Sequence, residues 1–292
     1  RMEAARERIL ANIAEREDSP AQYLSDLAIA TALGDPELRH LPSGSREGVQ
    51  ALSHEQLLRY RDAHFVTGNV VVAVAGDVRR EEVVPKIAAA LAELPQGPRR
   101  PPVALPPAQV GTRVERPAGS EQANIAVAAR GPGVQAADRA ALVVLSGILG
   151  GGGQRLYTEI RDQRGLAYAV GASLLQMADV GVLLASAGTE PPNTAEVTSL
   201  LLAELQKLRD APPSEEEVAR AIGYFVDGQI VDLETVSARA NELTRREALY
   251  GVAPPREQFR AQLRAVRPAD VQAAAQRYLA PERLLTVVLR PQ

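Results

Sequence analysis

Residues 95–107 read Pro-Gln-Gly-Pro-Arg-Arg-Pro-Pro-Val-Ala-Leu-Pro-Pro, with six prolines in 13 positions. Each proline fixes its own φ and removes a backbone donor, so this run can be neither a helix nor a central strand. It acts as a semi-rigid spacer. It divides the 292 residues into a part over 1–94, a linker over 95–111 and a part over 112–292. A chain of this length is expected to form two domains.

Both parts carry alternating helix and strand signals. Ile9, Leu10 and Ile13 share one helical face in 1–16, and Pro20 after Ser19 opens a second helix to about Leu33. Ser53 is an N-cap for a helix to about His64, the Val-rich run 69–75 predicts a strand, and 80–94 predicts a helix. Beyond the spacer, strands are predicted over 112–116, 123–129, 169–176, 180–187 and 284–289. Helices are predicted over 136–149, 194–208, 214–227, 231–249, 255–265 and 268–278, with Ser214 and Glu217 as a capping box.

One pattern recurs across the spacer. Leu52–Val74 and Val266–Val288 align without gaps at a constant offset of 214 residues, so that helix, turn and apolar run coincide. A repeat of this size points to two homologous domains. Shifting the second copy's start, near Thr112, back by the same offset lands about a hundred residues before Arg1, so the first domain is expected to extend upstream of this chain. The predicted fold class is α+β: two homologous domains, each a mainly antiparallel sheet packed with helices.

Composition excludes several functions. A net charge of −3 gives no electrostatic case for nucleic acid. The absence of Cys leaves no disulfide, thiolate metal site or Cys nucleophile. No apolar run approaches the length of a membrane span.

The most informative stretch is 150–170, GGGGQRLYTEIRDQRGLAYAV. Gly150, Gly151, Gly152 and Gly153 suit a flexible turn, or a backbone that must lie close to something else. No Lys follows them as a P-loop requires, and a helix rather than a strand precedes them, which is the wrong setting for a dinucleotide loop. The glycine-rich turn followed by R-L-Y-x-x-I-R-x-x-R-G-L-A-Y resembles the C-terminal-domain signature of the pitrilysin/insulinase family of zinc metallopeptidases, which includes mitochondrial processing peptidase and its bacterial relatives. The resemblance covers essentially the whole chain. It implies that Arg161 and Tyr168 reach across to an active site in another domain, holding substrate backbone and stabilising an oxyanion. An Arg and a Tyr seven residues apart are otherwise an ordinary feature of a helix–strand junction. Arg164 reads as a salt-bridge or capping residue near the helix end.

In that family zinc is held by an H-x-x-E-H helix and a Glu on a later helix. His40, His54 and His64 form no such motif and read as structural or surface residues. The family's third-ligand pattern falls on Ile9-Leu10-Ala11-Asn12-Ile13, where Asn12, a neutral amide and a poor zinc ligand, takes the Glu position. The resemblance therefore implies no metal in this chain, zinc in a longer parent or a partner, a peptide substrate, and a zinc-bearing homologous subunit or a second copy as partner. Open alternatives are the C-terminal part of a complete zinc peptidase whose metal motif lies upstream, and a non-proteolytic scaffold or assembly subunit.

Overall fold

The structure is a computed structural model; it describes residues 2–34, 44–99, 105–115, 121–151, 154–231, 233–251 and 256–291. Its centre is one five-stranded sheet of order β1-β5-β2-β4-β3. The strands are β1 (Gly111–Glu115), β2 (Ala123–Pro132), β3 (Ala167–Gln176), β4 (Val180–Thr189) and β5 (Leu284–Leu289). β1 runs parallel to β5 and the other three pairings are antiparallel. The sheet is thus mixed and mainly antiparallel, and the architecture is α+β.

The three central strands are apolar on both faces. Ile125, Val127 and Ala129 of β2, with Leu183, Ala185 and Ala187 of β4, enter one core; Ala126 and Ala128, with Val182 and Leu184, enter the other. Near-continuous apolar runs are what two-sided burial requires. The first face is covered by α6 (Arg139–Gly150), α7 (Thr194–Asp210), α8 (Glu215–Val231) and α11 (Pro268–Tyr278). The second is covered by α2 (Pro20–Ala32), whose Leu24, Leu27 and Ala28 pack against Leu285, Val287 and Leu289. α2 thus packs on the later sheet, and α1 (Met2–Glu17) packs against α2. Tyr23 of α2 donates to Glu115 of β1 at 2.9 Å, and Arg130 donates to the Pro106 carbonyl at 2.6 Å.

Two of the caps read from the sequence form, while Ser19 precedes α2 and Asn193 precedes α7 without a side-chain cap bond. Ser53 and Gln56 close a capping box on α4 (His54–His64), and Ser214 and Glu217 close another on α8. The helical run expected over 231–249 is instead re-initiated at Thr235, whose hydroxyl accepts from Ala238 N and starts α9 (Val236–Tyr250). α10 (Arg256–Ala265) follows.

One expected element differs. Residues 70–75 form no strand and join no ladder among the described residues. A strand exists by pairing, and apolar alternation alone supplies no neighbour. Around it stand α3 (Arg46–Ala51), α4 and α5 (Arg80–Ala90), whose described side chains are largely solvent-facing. Here the repeat is visible in the backbone. α4 and the 3-10 turn Thr67–Asn69 recur as α11 and the turn Pro281–Arg283 at the same offset of 214. Burial does not recur: Leu57 and Phe65 are 40% and 56% exposed, while their counterparts Val271 and Leu279 are 0% and 1% exposed.

Candidate functional site

The signature stretch joins the end of α6 to β3 along the sheet edge. Gly150 is required by close approach: a Cβ there would lie 2.0 Å from the Ala172 nitrogen of β3. At Gly151 a Cβ would come within 3.1 Å of the Tyr224 ring. Gly152 and Gly153 lie outside the described residues. Gln154 follows with φ 51, the one described non-glycine residue in the left-handed region. Such conformations cost free energy and persist where surrounding structure imposes them.

The run that follows is π-wound over Tyr157–Asp162. Gln163 N bonds to Thr158 O at 3.0 Å, one residue beyond the α-helical partner. π-segments occur as single turns, often at functional sites. Leu156 and Ile160 are fully buried and anchor the turn. Arg161 lies exposed, its guanidinium 4.8 Å from the centroid of the Tyr157 ring, within cation–π range. The turn ends at Gly165, φ +67, where Leu166 N returns to Ile160 O in a glycine C-cap. A Cβ at Gly165 would meet nothing within 4 Å, so this glycine is needed for its conformation and Gly150 for space.

Tyr168 sits in a β-bulge. Ala167 pairs with Thr189 and Ala169 with Gly188, which leaves Tyr168 as the extra residue. A bulge breaks the two-residue alternation and re-aims a side chain. Ala167 is buried, Tyr168 and Ala169 both face solvent, and Val170 returns to the core. Tyr168 is 80% exposed, and its hydroxyl has no hydrogen-bond partner among the described residues. Arg161 and Tyr168 therefore stand solvent-facing on either side of the turn into β3, an edge strand with one side unpaired.

Two ion pairs brace the turn, and the sequence pointed to only one. Arg164 bonds Glu159 at 2.6 Å and holds that carboxyl below its ordinary range. Arg155 forms two bonds to Glu217, at 2.5 and 2.9 Å. Glu217 also accepts from Ser214 N, and these partners, Arg155 first, bring its pKa down to about 2. The sequence assigned Glu217 to a cap; its second partner lies 62 residues away and leaves no local signal.

Asn12 lies exposed on α1 beside buried Ile13. His54 is exposed, His64 stacks on Tyr60 with centroids 3.9 Å apart, and His40 is outside the described residues. Among the described residues no three of His, Cys, Asp and Glu come together. The described residues do not fit a zinc ion.

The family profile described as "Peptidase M16 inactive domain" matches residues 51–224. The chain belongs to the peptidase M16 inactive-domain family. An uncharacterized zinc protease of Streptomyces coelicolor is 32% identical over 292 residues, covering 96% of this chain and 63% of the relative. A probable mitochondrial-processing peptidase subunit beta of Arabidopsis thaliana is 24% identical over 292 residues, covering 96% of this chain and 55% of the relative. The chain thus spans less than two thirds of either relative's length. A crystal structure of a peptidase M16 inactive domain from Pseudomonas fluorescens superposes with a TM-score of 0.84 at 22% identity, over 100% of this chain and 70% of that one, and shows the shared fold. The signature of 150–170 and the family profile agree on the family. No described helix is long and apolar enough to cross a membrane.

Proposed function

We propose that this chain is the substrate-holding, non-catalytic half of a zinc-dependent endopeptidase, and that Arg161 and Tyr168 act on a peptide whose scissile bond is presented to zinc held elsewhere. The observation that carries this reading is the bulge at Tyr168. It presents an unpartnered phenol to solvent across the turn from Arg161 in sequence, at the edge of a sheet that could take an extended peptide as an added strand. The Arg161 guanidinium offers a fixed fork of donors for a substrate carbonyl. The Tyr168 hydroxyl can donate to a developing oxyanion, a contribution on the order of 2.7–4 kcal/mol in comparable sites. Gly150 and Gly151 would line the approach.

The two-domain reading belongs here as well. The first copy of the repeat exposes apolar positions whose counterparts are buried in the second, as expected of a segment that completes another sheet. Residues 1–94 would then be the end of a first peptidase-like domain, 95–111 the linker and 112–292 the second domain. The zinc-bearing part would be a homologous subunit, and a second copy of this chain is the other partner the resemblance allows.

A second reading is favoured by the name of the Streptomyces relative: the chain as the C-terminal part of a complete zinc protease. One experiment separates the two. Peptide cleavage and zinc content are measured for the full-length protein alone and mixed with an H-x-x-E-H relative encoded beside it. Cleavage in the mixture alone, lost in Arg161→Ala and Tyr168→Phe, supports the complementing half. Cleavage by the zinc-loaded protein alone supports the complete enzyme. Cleavage in the mixture that survives both substitutions refutes the roles given to Arg161 and Tyr168.

A further inference from the structure

A cavity of about 960 Å³ lies between α6, β3, α8, α9 and α10, with Gly150 and Gly151 at one wall. Its size matches sites for small organic ligands, which run to roughly 1,000 Å³. Four arginines line it, Arg139, Arg245, Arg246 and Arg256, against one carboxylate, Glu242. The nearest approaches of Glu242 to Arg245 and Arg256 are 3.9 and 3.7 Å, both longer than a hydrogen bond. Glu242 therefore balances part of the charge without closing either guanidinium fork. Arg246 is half-buried and forms no ion pair among the described residues.

Aromatic rings also line the cavity, among them Tyr250 and Phe259. The Arg139 guanidinium lies 3.8 Å from the Phe259 centroid and 5.6 Å from that of Tyr250. Its Nε donates to Gln176 Oε1 at 3.1 Å, and the buried Gln176 Nε2 has no acceptor among the described residues. Burial pushes the Arg139 guanidinium below its ordinary range. Excess cation, open donors and π faces in one cavity call for an anion on an apolar body. One carboxylate fits better than a phosphate dianion, because Glu242 already occupies part of the field and the aromatic rings give nothing to a small hydrated ion.

We propose that this cavity binds a molecule bearing one carboxylate on an aromatic or branched apolar body, with the charge held by Arg246 and Arg256 and the body against Tyr250 and Phe259. A free amino-acid derivative and the C-terminal end of a peptide share this chemistry. The site is separate from Arg161 and Tyr168, and its test reads binding rather than cleavage.

The intact protein is titrated by calorimetry with N-acetyl-L-phenylalanine, its amide, a pentapeptide ending in Phe, and inorganic phosphate. The acid is expected to bind with a Kd on the order of 1 mM or tighter, and the amide about tenfold more weakly or worse. Arg246→Gln weakens the acid about tenfold without moving thermal unfolding, and Glu242→Gln, which removes the competing carboxylate, tightens it. Tighter binding of either the derivative or the pentapeptide identifies the source of the carboxylate. Equal binding of acid and amide, no binding of either, phosphate binding as tightly as the acid, or undiminished binding in folded Arg246→Gln overturns the proposal.

Discussion

The two bonds between Arg155 and Glu217 fix the turn that carries Arg161 to the start of α8, and Glu217→Gln tests how much they hold. The side chains are 21% and 16% exposed, so the pair is largely shielded while keeping some water. Glu217 sits at about pKa 2 in the fold, against an ordinary 4.5. Linkage converts that difference to an upper bound of about 3 kcal/mol. Solvent screening reduces it to roughly 1–2 kcal/mol. The sign follows from the depressed folded pKa. The pair contributes fully above the unfolded value of 4.5, and the contribution is lost as pH falls from there toward 2. The glutamine variant keeps an acceptor for Ser214 N but loses the charge and leaves Arg155 without its partner. Urea unfolding followed by far-UV circular dichroism should show the variant about 1–2 kcal/mol less stable at neutral pH, with the gap narrowing by about pH 3. A gap of the same size at both pH values would refute the reasoning, because it would locate the loss in packing or capping.

Other substitutions separate causes that look alike in sequence. Gly150→Ala should lower stability by about 1–3 kcal/mol through overpacking, with Gly150→Asn worse. At Gly165, Asn should be milder than Ala, because only φ is at stake there; thermal denaturation of the four variants checks the reversal. Tyr278, buried and bonded to Asp138 at 2.8 Å, has its phenol pushed up to about 12. In a spectrophotometric titration it should ionise at that value, and Tyr278→Phe should remove the step and cost about 1 kcal/mol. Tyr168→Phe should leave stability within about 0.5 kcal/mol, since its hydroxyl faces solvent; a larger loss in a melting curve would mean that the phenol is structural.

The sequence by itself determined what is local. Ser53 and Ser214 start the helices expected of them because a cap satisfies backbone donors within one turn, and Pro20 and Pro268 open theirs because a fixed φ and a missing N–H suit the first helical position. The glycine run signalled close backbone approach, and the signature around Arg161 and Tyr168 named the family. The 214-residue repeat gave matching helix bounds in both copies. Tertiary structure alone decided what depends on partners far along the chain. Nothing local tells β1 to lie parallel to β5, or α2 to cover the second face of a sheet whose last strand begins at Leu284. The same apolar pattern is buried at Val271 and bare at Leu57, because burial belongs to the neighbour and not to the residue. The π-turn, the bulge that turns Tyr168 outward and the arginine-lined cavity between α6 and α10 each arise where separate elements must fit together. Propensity and periodicity act over a few residues, while register, bulges and cavities are settled by packing between surfaces distant in sequence.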